Sequence, residues 1–124
     1  MKYDKTGQGG KLGQCFTPDA VADLVAGAVP EAELMRVDFT VADPCCGSGS
    51  LIAAVVRRRL RLGVSAEVIA AHLWACDKDA AQADGCVERL VELLGEEYRV
   101  VLAASVHVGD ALTLMGIAGI DGLM

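Results

Sequence analysis

The chain has no Cys-x-x-Cys pair, no Pro-Pro dipeptide, no Gly-Lys-Ser or Gly-Lys-Thr triplet, and few aromatic or basic residues. Its five cysteines, Cys15, Cys45, Cys46, Cys76 and Cys86, are odd in number and fit neither a disulfide framework nor a zinc ribbon. His72 and Cys76 would share a face only in a helix, and their segment reads better as a strand, so no metal is expected and the thiols read as reduced and buried. No stretch approaches the about 20 apolar residues of a membrane span, and residues 1–14 are polar where a secretory leader would be apolar. The expected location is the cytoplasm, with no membrane partner. Eleven Lys and Arg stand against seventeen Asp and Glu, a net charge of −6, and only five residues are aromatic. That balance has the wrong sign for a domain gripping nucleic acid through its phosphates. With 124 residues, 53% of them hydrophobic, what is present suffices for one domain around one core.

Residues 1–14 carry Gly7, Gly9, Gly10 and Gly13 among polar neighbours and read as a flexible arm. Thr17-Pro18-Asp19 then precedes Val21, Leu24, Val25 and Ala28: an N-cap, a proline at the first helical position and apolar residues at helical spacing. The pattern predicts a helix from Pro18 to Val29. Asp38 to Asp43 reads as a short strand, Pro44 to Ser50 as a turn, and Leu51 to Leu62 as a helix. The basic residues Arg57, Arg58, Arg59 and Arg61 spread around that helix and read as a solvated or subunit-facing surface. A helical turn over Ala66 to Ala71 leads to a second strand, His72 to Cys76, ending at Asp77. A helix from Lys78 to Leu94 is stopped by Gly95, and a third strand, Ala104 to Val108, closes on Gly109-Asp110. Trp74 reads as core and His107 as a satisfied strand residue, since neither falls at a strand end. Alternating strands and helices predict an α/β fold with a parallel sheet and right-handed crossovers, whose ligand sits beyond the carboxyl ends of the strands.

All three predicted strands end in an acid: Asp43, Asp77 and Asp110. One such acid is ordinary turn chemistry, whereas three in succession would line one sheet edge. Between the first strand and its helix, Gly47 and Gly49 permit a tight turn and close approach of an anionic group to the helix amides. A dinucleotide fingerprint fits poorly. It wants a small residue where Ile52 stands and an acid about twenty residues on, whereas Asp77 lies thirty beyond Gly47. A ligand with a carboxylate for the helix amides, an ammonium for Asp43, ribose hydroxyls for Asp77 and an adenine amino group for Asp110 matches better, and S-adenosylmethionine is such a ligand. Its sulfonium would also gain from the acidic field.

Four segments, Gln14-Cys15-Phe16-Thr17-Pro18, Ala42-Asp43-Pro44-Cys45-Cys46-Gly47-Ser48-Gly49-Ser50, Ala75-Cys76-Asp77-Lys78-Asp79 and Val108-Gly109-Asp110-Ala111-Leu112, resemble the adenine-specific DNA methyltransferases. The resemblance is nearest to the modification subunits of restriction-modification systems and covers residues 13–112. It implies a three-layer Rossmann-like methyltransferase fold with strand order 3-2-1, in which residues 15–124 form an S-adenosylmethionine-binding part cut before the fourth strand. By position, Phe16, Thr17 and Pro18 would close over the methionine end of the cofactor, and Asp43, Cys45, Gly47 and Gly49 would cradle it. Asp77 would hold the ribose, Lys78 would lie beside the adenine edge, and Asp110 would accept from the adenine amino group with Ala111 on its face. The Asn-Pro-Pro-aromatic element that such enzymes bring to a flipped base is absent. Gly119 to Met124 reads as the opening of a fourth strand. No catalytic residue is therefore assigned, and the chain alone is expected to be inactive. DNA contact is expected through further segments or a partner subunit, and association with a complementary catalytic or recognition chain or a second copy is expected at the open sheet edge. Two other readings are a non-catalytic cofactor-sensing or subunit-interface module and a nicotinamide-dinucleotide-binding fragment.

Overall fold

A computed structural model describes residues 18–113. The expected arm over 1–14, Phe16 and Thr17, and the strand opening expected over 119–124 lie outside the described residues. Pro18 stands at the N-cap of α1 (Asp19–Gly27), one position earlier than its expected place, and its carbonyl accepts from the Ala22 amide at 2.9 Å. Pro30 likewise precedes a short α2 (Glu31–Leu34), which the acidic stretch did not announce. Then come β1 (Val41–Asp43), α3 (Ser50–Arg61), α4 (Ala66–Ala70), β2 (Leu73–Asp77) and α5 (Ala80–Leu94). Ser65 and Asp79 cap α4 and α5 by accepting from the Val68 and Ala81 amides. A 3-10 turn (Glu96–Tyr98) follows, then α6 (Arg99–Ser105) and β3 (Val106–Val108).

The three strands are parallel in the order β1-β2-β3, with Val41 opposite Leu73 and Ala75 opposite Val106. This is the expected α/β order. Leu73, Ala75 and Val106 meet Ile52 and Val56 of α3, Ile69 of α4, Cys86 and Leu90 of α5 and Leu102 of α6 in one buried cluster. Strand alternation puts Trp74 and His107 on the other face, half-buried, with ring centroids 5.6 Å apart. Among the described residues, the helices α3 to α6 pack on the face that carries Leu73, Ala75 and Val106. A second cluster joins Ala22 and Ala26 of α1 and Leu34 of α2 to Ala54 and Val55 of α3.

Two strands are shorter than expected. β1 begins at Val41 because Arg36 forks both carboxylate oxygens of Asp38 at 2.9 Å, turning that stretch into a bend. β3 begins at Val106 because Ala104 and Ser105 continue α6, the Ser105 hydroxyl donating to the Val101 carbonyl at 3.0 Å. Arg99 anchors that helix by donating to Glu88 of α5 (2.6 Å) and to Glu96.

The arginine run departs most from its expected role. Arg57 pairs with Asp23 of α1 at 3.0 Å, and Arg58 donates to the Ala26 and Val29 carbonyls at 2.6 and 2.9 Å, which closes the C-terminal end of α1. Arg59 has no exposed surface. It donates to the carbonyls of Leu34 (2.7 Å), Phe39 (3.3 Å) and Arg36 (2.5 Å), with its guanidinium 5.2 Å from the Phe39 ring centre. The side chains do radiate around α3, but α1, α2 and the bend before β1 wrap it. Three of the four directions therefore meet backbone or acid rather than solvent, and Arg61 alone is exposed.

Candidate functional site

Parallel pairing brings the strand ends to one edge, with Asp43 level with Ala75 and Asp77 level with Val108. The glycine turn folds over this edge: the Cys46 amide donates to the Cys76 carbonyl and the Gly109 amide to the Asp77 carbonyl, both at 2.9 Å. Asp77 is 3% exposed, and its two carboxylate oxygens accept from the Gly47 and Asp79 amides, each at 2.9 Å. It therefore ties the turn to the start of α5, a structural duty that the sequence reading did not foresee. A carboxylate has about four lone-pair sites, which leaves two of them uncommitted.

Asp43 accepts from the Cys45 amide at 3.2 Å. Burial pushes its carboxyl above the ordinary carboxylate range, the Cys45 amide opposes this, and the Asp77 charge adds to the rise. Cys76 lies among the acids, fully buried, its thiol donating to the Pro44 carbonyl at 3.1 Å. Burial raises that thiol, and the charges of Asp77, Asp43 and Asp110 raise it further, so all three strand-end acids act on one buried atom. Asp110 is exposed and caps the helical turn at 111–113 by accepting from the Leu112 and Thr113 amides at 2.9 and 3.2 Å. Ala111 and Cys45 are half-buried, and Lys78 and Pro18 are exposed.

Gly47 and Gly49 hold φ of 54° and 93°. A β-carbon on Gly49 would lie 3.0 Å from Cys86 Sγ and 3.3 Å from Cys86 Cα. Gly49 is the N-cap of α3 and offers no side chain to the first amides, which leaves them open to an anion. Gly49→Ala is expected to cost about 2–3 kcal/mol, from the left-handed backbone and the crowding against α5 together. Urea unfolding would register this as a lower midpoint at unchanged slope, and an alanine variant of wild-type stability would show that the turn does not require glycine.

Cys46, Cys76 and Cys86 are free and buried, whereas Cys45 is disulfide-bonded, against the expectation of reduced thiols throughout. The Cys46 thiol donates to the Gly47 carbonyl at 3.3 Å, and the Cys86 thiol beside it together with burial pushes it up. Sequence reasoning missed Cys86 as a wall of the glycine turn. The signal available was the adjacent pair of small residues Gly85-Cys86, and a β-carbon at Gly85 would lie 3.8 Å from Ser48 Cβ. It also missed Asp19 and Arg89, whose carboxylate and guanidinium approach to 3.5 Å. The Ser50 hydroxyl at the start of α3 and the Arg89 guanidinium beside Asp19 hold its carboxyl below the ordinary range.

His72 Nδ1 lies 2.8 Å from the Val68 carbonyl, outside any helix shared with Cys76. No group of three or more metal-ligating side chains occurs among the described residues, and no described helix is long and apolar enough to cross a membrane.

A parallel sheet with a glycine turn after its first strand and acids at its strand tips is part of a Rossmann-like methyltransferase fold. The family model for N-6 DNA methylase matches residues 1–68, more than half of the chain, and the protein belongs to that family. The match takes in Phe16-Thr17-Pro18, β1, the glycine turn and α3. No curated protein and no solved structure matches.

Proposed function

We propose that this chain is the S-adenosylmethionine-binding portion of a DNA adenine N6-methyltransferase of the restriction-modification type. One observation carries the reading. Three strand-end carboxylates and the uncapped N-terminus of α3 meet at one sheet edge, with Cys76 among the acids. Acceptors and anion-binding amides side by side suit a ligand that carries both signs of charge. The cofactor supplies an electrophilic methyl group on a sulfonium. The α3 amides would take its carboxylate and Asp43 its ammonium. Asp77 would offer its uncommitted lone pairs to the ribose, Asp110 would accept from the adenine amino group, and the exposed Lys78 would flank the ring. The acid-rich rim favours a cation before any chemistry begins.

These 124 residues contain no Asn-Pro-Pro-aromatic element, so by themselves they are expected to hold cofactor without methylating DNA. β1 is an edge strand of the described sheet, and its free edge is where a complementary chain or a second copy would pair, in the cytoplasm.

Titration calorimetry with S-adenosylmethionine and with a nicotinamide dinucleotide tests the reading. Binding of the first and silence with the second are expected. Dinucleotide binding alone would replace the reading with a metabolic one, and binding of neither would sink it. Asp43→Asn is expected to weaken S-adenosylmethionine binding about tenfold through loss of one charge-assisted contact. It should also stabilise the fold at neutral pH. The folded carboxyl sits above its unfolded value, so ionisation costs stability as pH climbs past about 4 and through the raised value. Melting curves of wild type and variant should then converge in acid and separate as pH rises, whereas parallel curves at every pH would show that the Asp43 carboxyl carries no such penalty.

A further inference from the structure

The contact of α1 with α3 is built from small residues, Ala22 and Ala26 against Ala54 and Val55, and gains little from side-chain interlock. A line of polar contacts reinforces it, Asp23 with Arg57 and the Ala26 and Val29 carbonyls with Arg58, while Asp19 stands beside Ser50 of α3 and pairs with Arg89 of α5. These contacts differ in what they border. Asp23 and the two carbonyls reach only the middle and far part of α3. Asp19 reaches Ser50, the residue after Gly49, and Arg89, three residues past the Cys86 that walls Gly49. Asp19 also directly follows Pro18, where the Phe-Thr-Pro element ends. One carboxylate thus ties the entrance of α1 to the two helices that flank the glycine turn.

We propose that Asp19 is a positioning residue for the cofactor, a latch that fixes where the chain enters α1 relative to the glycine turn. It acts through Ser50 and Arg89 and need not touch the ligand. The proposal rests on the S-adenosylmethionine reading above. Asp19 and Arg89 side chains are 69% and 32% exposed, so added salt loosens the latch, and cofactor affinity falls with ionic strength more steeply in the wild type than in a chain without it.

Asp23 provides the control, because its pair with Arg57 joins the same two helices one turn along, at 3.0 Å and with Asp23 64% exposed, but does not border the turn. Calorimetry on the full chain with S-adenosylmethionine should show Asp19→Ala binding about threefold to fivefold more weakly. Asp23→Ala should bind like the wild type although both variants melt alike, and Asp19→Glu, which keeps the carboxylate, should recover most of the loss. Equal affinity losses in Asp19→Ala and Asp23→Ala would overturn the latch in favour of a general role in holding α1, and so would wild-type affinity in Asp19→Ala. If the wild type takes up no S-adenosylmethionine, the cofactor reading falls and the latch with it. If the wild type binds and Asp19→Ala binds equally well, only the latch falls.

Discussion

Replacing Arg59 with alanine is expected to destabilise the protein by about 3–5 kcal/mol, enough to unfold a domain of ordinary stability at 37 °C. The side chain is fully buried and is the largest such side chain among the described residues. Burial lowers its pKa, but a guanidinium remains charged, so the charge must be answered from within. Three backbone carbonyls, those of Leu34, Arg36 and Phe39, and the Phe39 ring face answer it. Truncation takes this donor from the three carbonyls, leaving that of Arg36 with the Phe39 amide at 3.3 Å, and opens a cavity beside Leu34. Methionine fills much of the volume but restores no donor, so Arg59→Met should be only slightly better than alanine. Lysine keeps the charge but not the planar fork, so it cannot reach all three carbonyls of the 34–39 stretch at once and should fall in between. Urea unfolding of the three variants would order them Ala, Met, Lys from least to most stable. A wild-type midpoint for Arg59→Met would show that the carbonyls find other partners.

Arg59 also shows where sequence reasoning stops. The α/β order was legible because it rests on local patterning: Leu73, Ala75 and Cys76 supply a buried strand, and Ala83, Cys86, Leu90, Val91 and Leu94 supply one face of α5. The edge that gathers Asp43, Asp77 and Asp110 was legible for the same reason, since parallel strands ending in acids must end on the same side. What was not legible depends on pairings distant in sequence. A run of arginines on a helix has the composition of a solvent face, and only the return of α1, α2 and the bend before β1 across α3 turns Arg57, Arg58 and Arg59 inward. Val100 and Val101 favour a strand by propensity. They lie in α6 because burying Leu102 and pairing Arg99 with Glu88 outweigh the preference of two residues that stay exposed. The wall that Cys86 makes for the glycine turn is likewise a contact across 37 residues, visible in sequence only as a small-residue pair.

Asp77 joins the two levels, and its substitution should therefore be felt in stability and in binding at once. Its carboxylate holds the Gly47 amide of the turn and the Asp79 amide ahead of α5. Removing it orphans two buried or half-buried donors, and Asp77→Ala is expected to cost about 2–4 kcal/mol. Asparagine is the more telling variant. It offers one acceptor and sets an amide donor against whichever backbone N–H it cannot satisfy, so Asp77→Asn should lose about 1–3 kcal/mol despite its near-identical shape. A carboxylate that served only a ribose would predict the opposite, since an asparagine in solvent-facing surroundings leaves the fold undisturbed. Binding should fall further than stability alone explains. On the proposed cofactor reading, a displaced turn would misaim the first α3 amides, whose direction Gly47 and Gly49 set, and the ribose would lose its acceptor. Together these effects should weaken S-adenosylmethionine binding by about a hundredfold. The two losses separate when thermal melts are set beside calorimetry at a temperature where the variant is still folded. An Asp77→Asn chain that melts like the wild type would mean that the turn stands without its carboxylate, and one that melts early yet binds normally would remove Asp77 from the cofactor site.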